Sequence, residues 1–315
     1  MNNPLVSIAI PAYKCDYLKD AIQSAIDQTY HNIEILIVDD KSPYDVFSIV
    51  STFNDSRIRY IRNTENIGGE DPANNWNKCL REAQGDYFCL LCDDDLYMPT
   101  FVEMMLQLAT KYEHTHIFRS RVSVIDTEGK CIDMYPTSPE FETSENYMLD
   151  LFAGYRRQTI SEFMYKRNKF VEKGGYCNLP KAMCSDHLTI ILQSQYGGIA
   201  SSIQPLVAFR MSEINLSGIG QNKKNIMEKI ISRKMYTDSI LSLLKRRNVD
   251  NKDIIIGRMW KQHNNANIHE LSWCSIREFC YLFMHRKEMY INHKSFFKAL
   301  VNRLKLIFRQ YEIYN

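Results

Sequence analysis

The 315-residue chain has no long apolar run. Its longest uncharged stretch, Leu188 to Phe209, is interrupted by Gln193, Ser194, Gln195, Gly197, Gly198 and Pro205. It therefore falls short of the roughly 20 predominantly apolar residues of a spanning helix, and no membrane span is expected. The start, MNNPLVSIAIPAY, lacks a basic flank and its apolar run is short, so no secretory leader is expected either. A disulfide framework is also missing: nine cysteines, an odd number scattered along the chain, fit reduced thiols in a cytosolic protein. Cys89 and Cys92 form a CxxC, but residues three apart in a strand face opposite sides of a sheet and cannot share a metal or a disulfide. Glycine is absent from PAYKCDY, the segment behind the first apolar run, which excludes a glycine-rich phosphate loop there. No internal repeat or low-complexity linker is present.

What is there is ordinary for a globular protein: 45% hydrophobic and 24% charged residues, enough for one large domain or two modest ones. The net charge of +2 hides an asymmetry. Up to residue 220 the chain has 20 Lys+Arg against 29 Asp+Glu; from 221 it has 19 against 8. An acidic head and a basic tail suggest that the tail meets something anionic, a membrane surface or a nucleic acid, unless it is simply a solvated helical face.

VSIAIP (6 to 11) reads as a strand and DYLKDAIQSAIDQTY (16 to 30) as a helix with Leu18, Ala21, Ile22, Ala25 and Ile26 on one face. EILIVDD (34 to 40) and RIRYIRN (57 to 63) read as strands with a short helix, Tyr44 to Phe53, between them. NNWNKCLREAQ (74 to 84) is a helix, DYFCLLC (86 to 92) a strand buried on both faces, and HIFRSRVSVID (116 to 126) one or two strands. Tyr147 to Val171 reads as helix, turn and strand, and SDHLTIILQSQY (185 to 196) as a helix with Ser185 as N-cap. Residues 221 to 315 are expected to be helical and amphipathic. Strands alternating with helices at this spacing predict a mostly parallel α/β sheet covered on both sides. Ligands bind such sheets outside the carboxyl ends of the strands. Pro11 to Tyr13, Asp39 with Asp40, and Asp93 to Asp95 all fall there, so one edge of the sheet should be strongly acidic. Crowded carboxylates are costly without a cation, and hard oxygen ligands suit Mg²⁺ or Mn²⁺. Such an ion beside strand ends points to a nucleoside diphosphate. The plainer alternative is an acidic loop that complements the next helix dipole.

VSIAIPAYK, EILIVDDKS, NIGG and EAQGDYFCLLCDDDLYMP, in this order and spacing, resemble the family 2 glycosyltransferases of the GT-A fold, strongly over about residues 5 to 125 and less so over 160 to 217. The resemblance implies a Rossmann-like GT-A domain over 1–220, with a nucleotide-binding half to about 125 and an acceptor half over 126–220, and a basic helical extension over 221–315. It implies inverting, metal-dependent sugar transfer from a nucleotide sugar, UDP-linked in many members, to an acceptor hydroxyl. Carried over by position, Pro11, Ala12 and Tyr13 line the nucleoside pocket with Asn66, and Asp40 accepts from the base with Asp39 beside it. Counted back from Pro99, the family's first metal-motif aspartate falls on Cys92, a departure, and its second on Asp94. Asp94 is then the direct metal ligand, Asp93 a ligand of metal or ribose, and Asp95 a supporting group. A second departure is Trp76 in NNWN, where many relatives carry an arginine. The resemblance makes Asp186, behind Gly174-Gly175-Tyr176, the catalytic base, unless it only complements its helix; His187 is taken as a neighbour. Arg210 of FRMSEINLS would contact the diphosphate, although Ser212 stands where the family has a histidine.

QxxRW, the motif associated with processive synthases, is absent, which favours single addition to a cell-surface polysaccharide or lipid-linked glycan. Two other classes share part of this pattern. A nucleotidylyltransferase would share the sheet and metal but should carry the glycine-rich loop that PAYKCDY lacks; a silent nucleotide-sugar-binding partner need not retain Asp40, Asp94 and Asp186. The tail helix KSFFKALVNRLKLIFRQ (294 to 310) interleaves Phe296, Phe297, Leu300, Leu304, Ile307 and Phe308 with Lys and Arg. It can lie on the cytoplasmic face of an inner membrane, or cover the catalytic domain or a second subunit. Aromatic platforms on strands are not apparent, so no nucleic-acid partner is expected.

Overall fold

A computed structural model describes residues 3–212, 225–247 and 249–313, with the side chains of 306–313 left out. The expected boundary at residue 220, residues 213–217 of the FRMSEINLS segment, and the side chains of Ile307 and Phe308 lie outside the described residues. The chain divides into two compact units, Met1–Asn178 with Ser185–Ser212, and Leu179–Cys184 with Glu213–Asn315.

The first unit is an α/β domain. Strands β1 (Val6–Ala12), β2 (Ile33–Asp39), β3 (Ile58–Arg62) and β4 (Tyr87–Leu90) form a parallel half-sheet in the order β3-β2-β1-β4. Helices α1 (Leu18–Ile26), α2 (Val46–Val50) and α3 (Ala73–Glu82) make its crossovers. A parallel strand covered on both faces must be apolar throughout, which is why VSIAI and EILIV read as continuous runs rather than alternations. Beyond β4 the sheet becomes mixed. After the two-residue β5 (Leu96–Tyr97) and helix α4 (Phe101–Lys111), strand β6 (Ile117–Ile125) carries the short β7 (Cys131–Met134) at its edge. Then follow β8 (Phe141–Glu142), α5 (Ser144–Ala153), β9 (Phe163–Lys166), α6 (Arg167–Glu172), α7 (Ser185–Gln193) and β10 (Ile199–Arg210). Strand β9 runs antiparallel between β4 and β6, and β10 lies parallel to β6.

Several boundaries are tighter than the sequence reading, such as α1 at Leu18–Ile26 and α2 at Val46–Val50, and two differ for visible local reasons. The β4 strand stops at Leu90 instead of 92: the Leu91 N–H still donates to Ala9 O, but the Cys92 N–H turns to Ser161 Oγ and the ladder ends. Ser185 is the first residue of α7 rather than its cap, following Cys184 at φ 65°.

The second unit holds α8 (Ile226–Arg246), α9 (Lys252–Trp273), α10 (Ile276–Met284) and α11 (His293–Ile313). Ile226, Ile230, Leu271, Leu282, Phe296 and Ala299 form its apolar core. A buried polar seam joins α8 to α9: Arg233 donates to Asn267 and Glu270, and Thr237 shares a 3.0 Å hydrogen bond with His263 Nδ1. No described helix is long and apolar enough to cross a membrane.

Candidate active site

The acidic strand ends do meet. Behind β1 the chain turns at Tyr13 and Lys14, and both main-chain N–H groups donate to one oxygen of Asp93, at 2.9 and 2.8 Å. The Tyr13 carbonyl accepts from Ser42 Oγ, and the Ser42 N–H donates to Asp39. Asp39 is fully buried and also accepts from the Tyr60 hydroxyl and the Arg62 guanidinium. Its charge is thus spent on holding the β2 and β3 ends together. Ala12 is buried, Pro11 partly so, and Tyr13 presents an exposed ring at the same edge.

Asp40 is buried and organises the neighbouring loop. One of its oxygens accepts from Asn63 Nδ2 and the Ile67 N–H, the other from the Gly68 N–H at 2.7 Å. A carboxylate has about four acceptor positions, so room for a further donor remains after these three. Glycine is required at 68, because a Cβ there would stand 2.8 Å from Asp40 Oδ2 and 3.2 Å from Asn75 Cβ. Asn66 sits exposed on this loop, against Gly69.

The three aspartates after β4 separate into distinct environments. Asp93 is buried, and burial together with the charge of Asp94 pushes its carboxyl up to about 6 despite the two N–H groups that favour its ionised form. Asp94 meets the Lys14 ammonium at 3.4 Å. Asp95 is fully buried, accepts from Ser161 Oγ at 2.6 Å and from the Arg210 N–H at 3.1 Å, and is held well above the usual carboxylate range by burial and by Asp94. Cys92 Sγ and carboxylate oxygens of Asp94 and Asp95 lie within 4.8 Å of one another. Burial and the neighbouring Asp95 and Asp94 charges raise the Cys92 thiol well above its ordinary range, and hard divalent ions prefer oxygen to sulfur donors. Asp93, clasped by the Tyr13 and Lys14 amides, is not part of that group; the clustered Asp94 and Asp95 carboxylates form an oxygen donor set that a divalent cation would relieve, and they fit Mg²⁺ or Mn²⁺.

Arg210, expected to contact the diphosphate, is already engaged within the domain. Its side chain is buried, and its guanidinium donates to the main-chain carbonyls of Asp94, Asp126 and Thr127 and lies over the Tyr17 ring. It fixes the backbone that carries Asp94.

Asp186, second residue of α7, stands at the positive end of the helix dipole and is partly exposed. Its Oδ2 accepts from Gln158 Nε2 at 3.0 Å, and His187 Nδ1 lies 3.4 Å from its Oδ1. Gln158 is in turn held through its carbonyl oxygen by the Tyr147 hydroxyl. Three residues on, Ser161 donates to Asp95 and accepts from the Cys92 N–H. One short turn therefore reaches both the aspartate cluster and Asp186. The turn is fixed by a reciprocal cap between Thr159 and Glu162, and by the buried ion pair of Glu162 with Arg119. Burial pushes the Glu162 carboxyl up to about 7 against the pull of Arg119.

Gln158 and Ser161 were not singled out from sequence. They are uncharged, and their only sequence signal is the T-x-x-E capping pattern of Thr159 to Glu162. Sequence reasoning also missed the asparagines of NNWN as loop anchors. Asn75 accepts from Asn63, Asn74 donates to Ile67 O, and Asn77 makes paired hydrogen bonds, both 2.9 Å, with the Tyr176 main chain. Trp76 meets Tyr176 edge-on, at 5.7 Å between ring centroids. Tyr176 itself is buried, while Gly174 and Gly175 line a cleft of about 580 Å³ with Ile67, Asn77 and Arg81. Gly175, at φ 68°, leaves no room for a Cβ, which would lie 2.6 Å from Asn77 Oδ1.

A model of glycosyl transferase family 2 matches residues 7–177, more than half of the chain. An uncharacterized glycosyltransferase of Rickettsia bellii is 37% identical over 131 residues, covering 40% of this chain and 18% of that protein. The UDP-Glc:alpha-D-GlcNAc-diphosphoundecaprenol beta-1,3-glucosyltransferase WfaP of Escherichia coli is 42% identical over 97 residues, covering 30% of this chain and 38% of that protein. The matched region thus spans well under half the length of these curated relatives. Among solved structures, S. aureus TarS 1-349 in complex with UDP-GlcNAc superposes with a TM-score of 0.64 at 15% identity, covering 97% of this chain and 91% of that one. The mannosyltransferase PcManGT of Pyrobaculum calidifontis, in complex with GDP-Man and Mn2+, gives 0.57 at 14% identity, covering 96% and 87%. At such identities these superpositions speak to the fold, which is shared.

Proposed function

The chain belongs to glycosyl transferase family 2, and from that premise we propose that it transfers a single sugar, with inversion, from a nucleotide sugar to a hydroxyl of a lipid-linked or surface glycan. The reading is carried by one observation: the acidic strand-end cluster and Asp186 are both held by the turn Gln158–Ser161. A displacement at an anomeric carbon needs a base on one side of the sugar and charge neutralisation on the other. The nucleoside would lie along Pro11, Ala12 and Tyr13, with Asn66 near it and the base meeting the remaining acceptor position of Asp40. Asp39 serves this pocket indirectly, through Ser42 and the Tyr13 turn.

Asp94 and Asp93 are proposed as ligands of Mg²⁺ or Mn²⁺, with Asp95 orienting them; when bound, the ion would neutralise charge on the departing nucleoside diphosphate. Lys14 contributes a cation at the same edge. Arg210 is given a positioning role, through the Asp94 carbonyl, in place of a phosphate contact. Asp186 takes the proton from the acceptor hydroxyl as its oxygen attacks the anomeric carbon and the bond to the diphosphate breaks. Gln158 sets the direction of that carboxylate. WfaP, whose name gives a UDP-Glc donor and a diphosphoundecaprenol-linked acceptor, supports a UDP-sugar and a lipid-linked acceptor here. Such an acceptor would be met at the cytoplasmic face of a membrane.

Thermal unfolding with UDP-, GDP- and dTDP-sugars, each with and without Mn²⁺, tests the reading. A rise in melting temperature with one nucleotide class is expected, and no rise under any condition would refute it. Asp186→Asn should abolish transfer and leave nucleotide binding intact, whereas Asp94→Asn should weaken the metal-dependent part of binding; full turnover by either variant removes the role assigned to it.

A further inference from the structure

The second unit carries apolar surface that its own core does not use. Helices α10 and α11 bury Leu282, Phe296 and Ala299, and Phe279 and Phe283 meet Phe296 edge-on. Among the described residues their other faces are open. On α10, Ile276 and Met284 are 75% and 69% exposed, and Phe283 lies between them at 46%. The spacing i, i+7, i+8 puts these three on one stripe. On α11, Phe297 is 69% exposed and is followed at i+3 and i+7 by the exposed Leu300 and Leu304. A fold gains nothing by leaving this much apolar side chain in water, and clusters of this kind mark interaction surfaces.

The charge around these stripes selects the partner. From Ile276 to Lys305 the sequence holds seven basic residues (Arg277, Arg286, Lys287, Lys294, Lys298, Arg303 and Lys305) and two acidic ones, Glu278 and Glu288, a net of +5 with histidines neutral. Arg277, Lys287, Lys294, Lys298 and Lys305 are exposed. Arg286 lies over the Phe283 ring at 4.9 Å, charge above and aromatic face below. An obligate protein interface is depleted of lysine. Lysine interleaved with large apolar side chains on a helical surface is the chemistry of the boundary between anionic headgroups and acyl chains.

We propose that the open faces of α10 and α11 dock this protein on an anionic membrane surface, with Phe297, Leu300, Leu304, Ile276 and Met284 entering the headgroup region and the lysines pairing with lipid phosphates. The proposal rests on this surface alone and not on the transfer chemistry.

The test is co-sedimentation of the full chain with vesicles of pure phosphatidylcholine and of phosphatidylcholine containing 30% phosphatidylglycerol, a composition of about one anionic lipid in three. Binding is expected to the anionic vesicles only, and to weaken steeply at 1 M salt, where the screening length falls to about 3 Å. A surface lysine contributes about fivefold to binding, so Lys287→Gln, Lys294→Gln and Lys298→Gln together should weaken partition about 100-fold. Phe297→Ser, Leu300→Ser and Leu304→Ser together should weaken it more than about tenfold, from the lost apolar insertion. All six residues are exposed, so unchanged helical circular dichroism is expected and is checked for each variant. Equal binding to both vesicle types, or no loss in either triple variant, overturns the proposal. So does a concentration-dependent dimer that the serine variant abolishes without any vesicle binding by the parent chain, since the face would then belong to a second copy. Nucleotide-induced stabilisation, measured on the same samples, reports separately on the transfer reading.

Discussion

Replacing Gln158 by Met tests the proposed site where its parts are joined. The substitution keeps side-chain length and removes both polar ends. The Asp186 carboxylate then loses the 3.0 Å hydrogen bond from Nε2, and the Tyr147 hydroxyl loses its acceptor. A hydrogen bond to a charged group is worth about 1.5–3 kcal/mol. If that amount serves to hold Asp186 in the orientation needed for proton removal, its loss appears in the activation barrier, where each 1.36 kcal/mol is tenfold. The expected fall in kcat is therefore about tenfold to 150-fold. The affinity for the nucleotide should hold, because no group proposed for the nucleoside pocket is bonded to Gln158. Steady-state transfer kinetics with a saturating donor, together with calorimetric titration of the nucleotide, separate the two quantities. Gln158→Glu is a useful companion: it restores a partner for Tyr147 but sets a second carboxylate against Asp186. A kcat within about twofold of the parent for Gln158→Met would refute the reasoning, because the bond would then be irrelevant to the chemistry. An equal loss of nucleotide affinity would refute it in a different way, by showing a general disturbance of the domain.

Gly68→Ala should destabilise the protein by about 1–3 kcal/mol through overpacking and weaken nucleotide binding by at least about tenfold. The new Cβ meets Asp40 Oδ2 at 2.8 Å, and that carboxylate is tied by three donors; an unchanged denaturant midpoint and unchanged titration would contradict this. Ser161→Ala leaves the buried Asp95 without its hydroxyl donor and should cost about 1–3 kcal/mol of stability, read by urea unfolding, with Ser161→Thr retaining most of it. The seam between α8 and α9 gives the chain a pH dependence. Burial and the Arg233 charge lower His263 to about 4 from an ordinary 6.5, so the folded ring is neutral. On acidification the unfolded chain takes up the proton first, and about 3 kcal/mol of stability present above pH 6.5 is lost as the pH falls through 4. Urea unfolding of parent and His263→Gln between pH 4 and 7.5 should show the dependence flattened in the variant, and an identical dependence would assign it elsewhere.

Much of the parallel half of the sheet was legible because its physics is local. A strand buried on both faces must be apolar along its whole length, so VSIAI, EILIV and YFCLL announce themselves, and the residues that follow each run, Pro11 in the first and aspartates in the other two, mark the carboxyl edge. That edge gathers Asp39, Asp40 and Asp93 to Asp95 as expected. Long-range partners were not legible. That Asp93 grips the Tyr13 turn rather than facing outward, that Arg210 spends its guanidinium on main-chain carbonyls, and that Gln158 orients Asp186 depend on side chains 28 to 116 positions apart. No period or local propensity encodes such pairings. A strand was expected within Tyr147 to Val171, and β9 is that strand, but its place antiparallel between β4 and β6 was hidden for a similar reason: FMYK is four residues long, and its neighbours are chosen by topology rather than by pattern.

The grip of Asp93 on the Tyr13 and Lys14 amides has a thermodynamic consequence. If Asp93 holds the proposed ion and Tyr13 the proposed nucleoside, one carboxylate would serve both as counter-charge for the cation and as clasp of the nucleoside-binding turn. Whatever draws on its electron density at one end alters its hold at the other. Under the proposed roles, ion and nucleotide affinities would be coupled, each raising or lowering the other by the same factor. Two ligands read as separate contacts would thus become a single coupled equilibrium, with Asp93 as the coupling term.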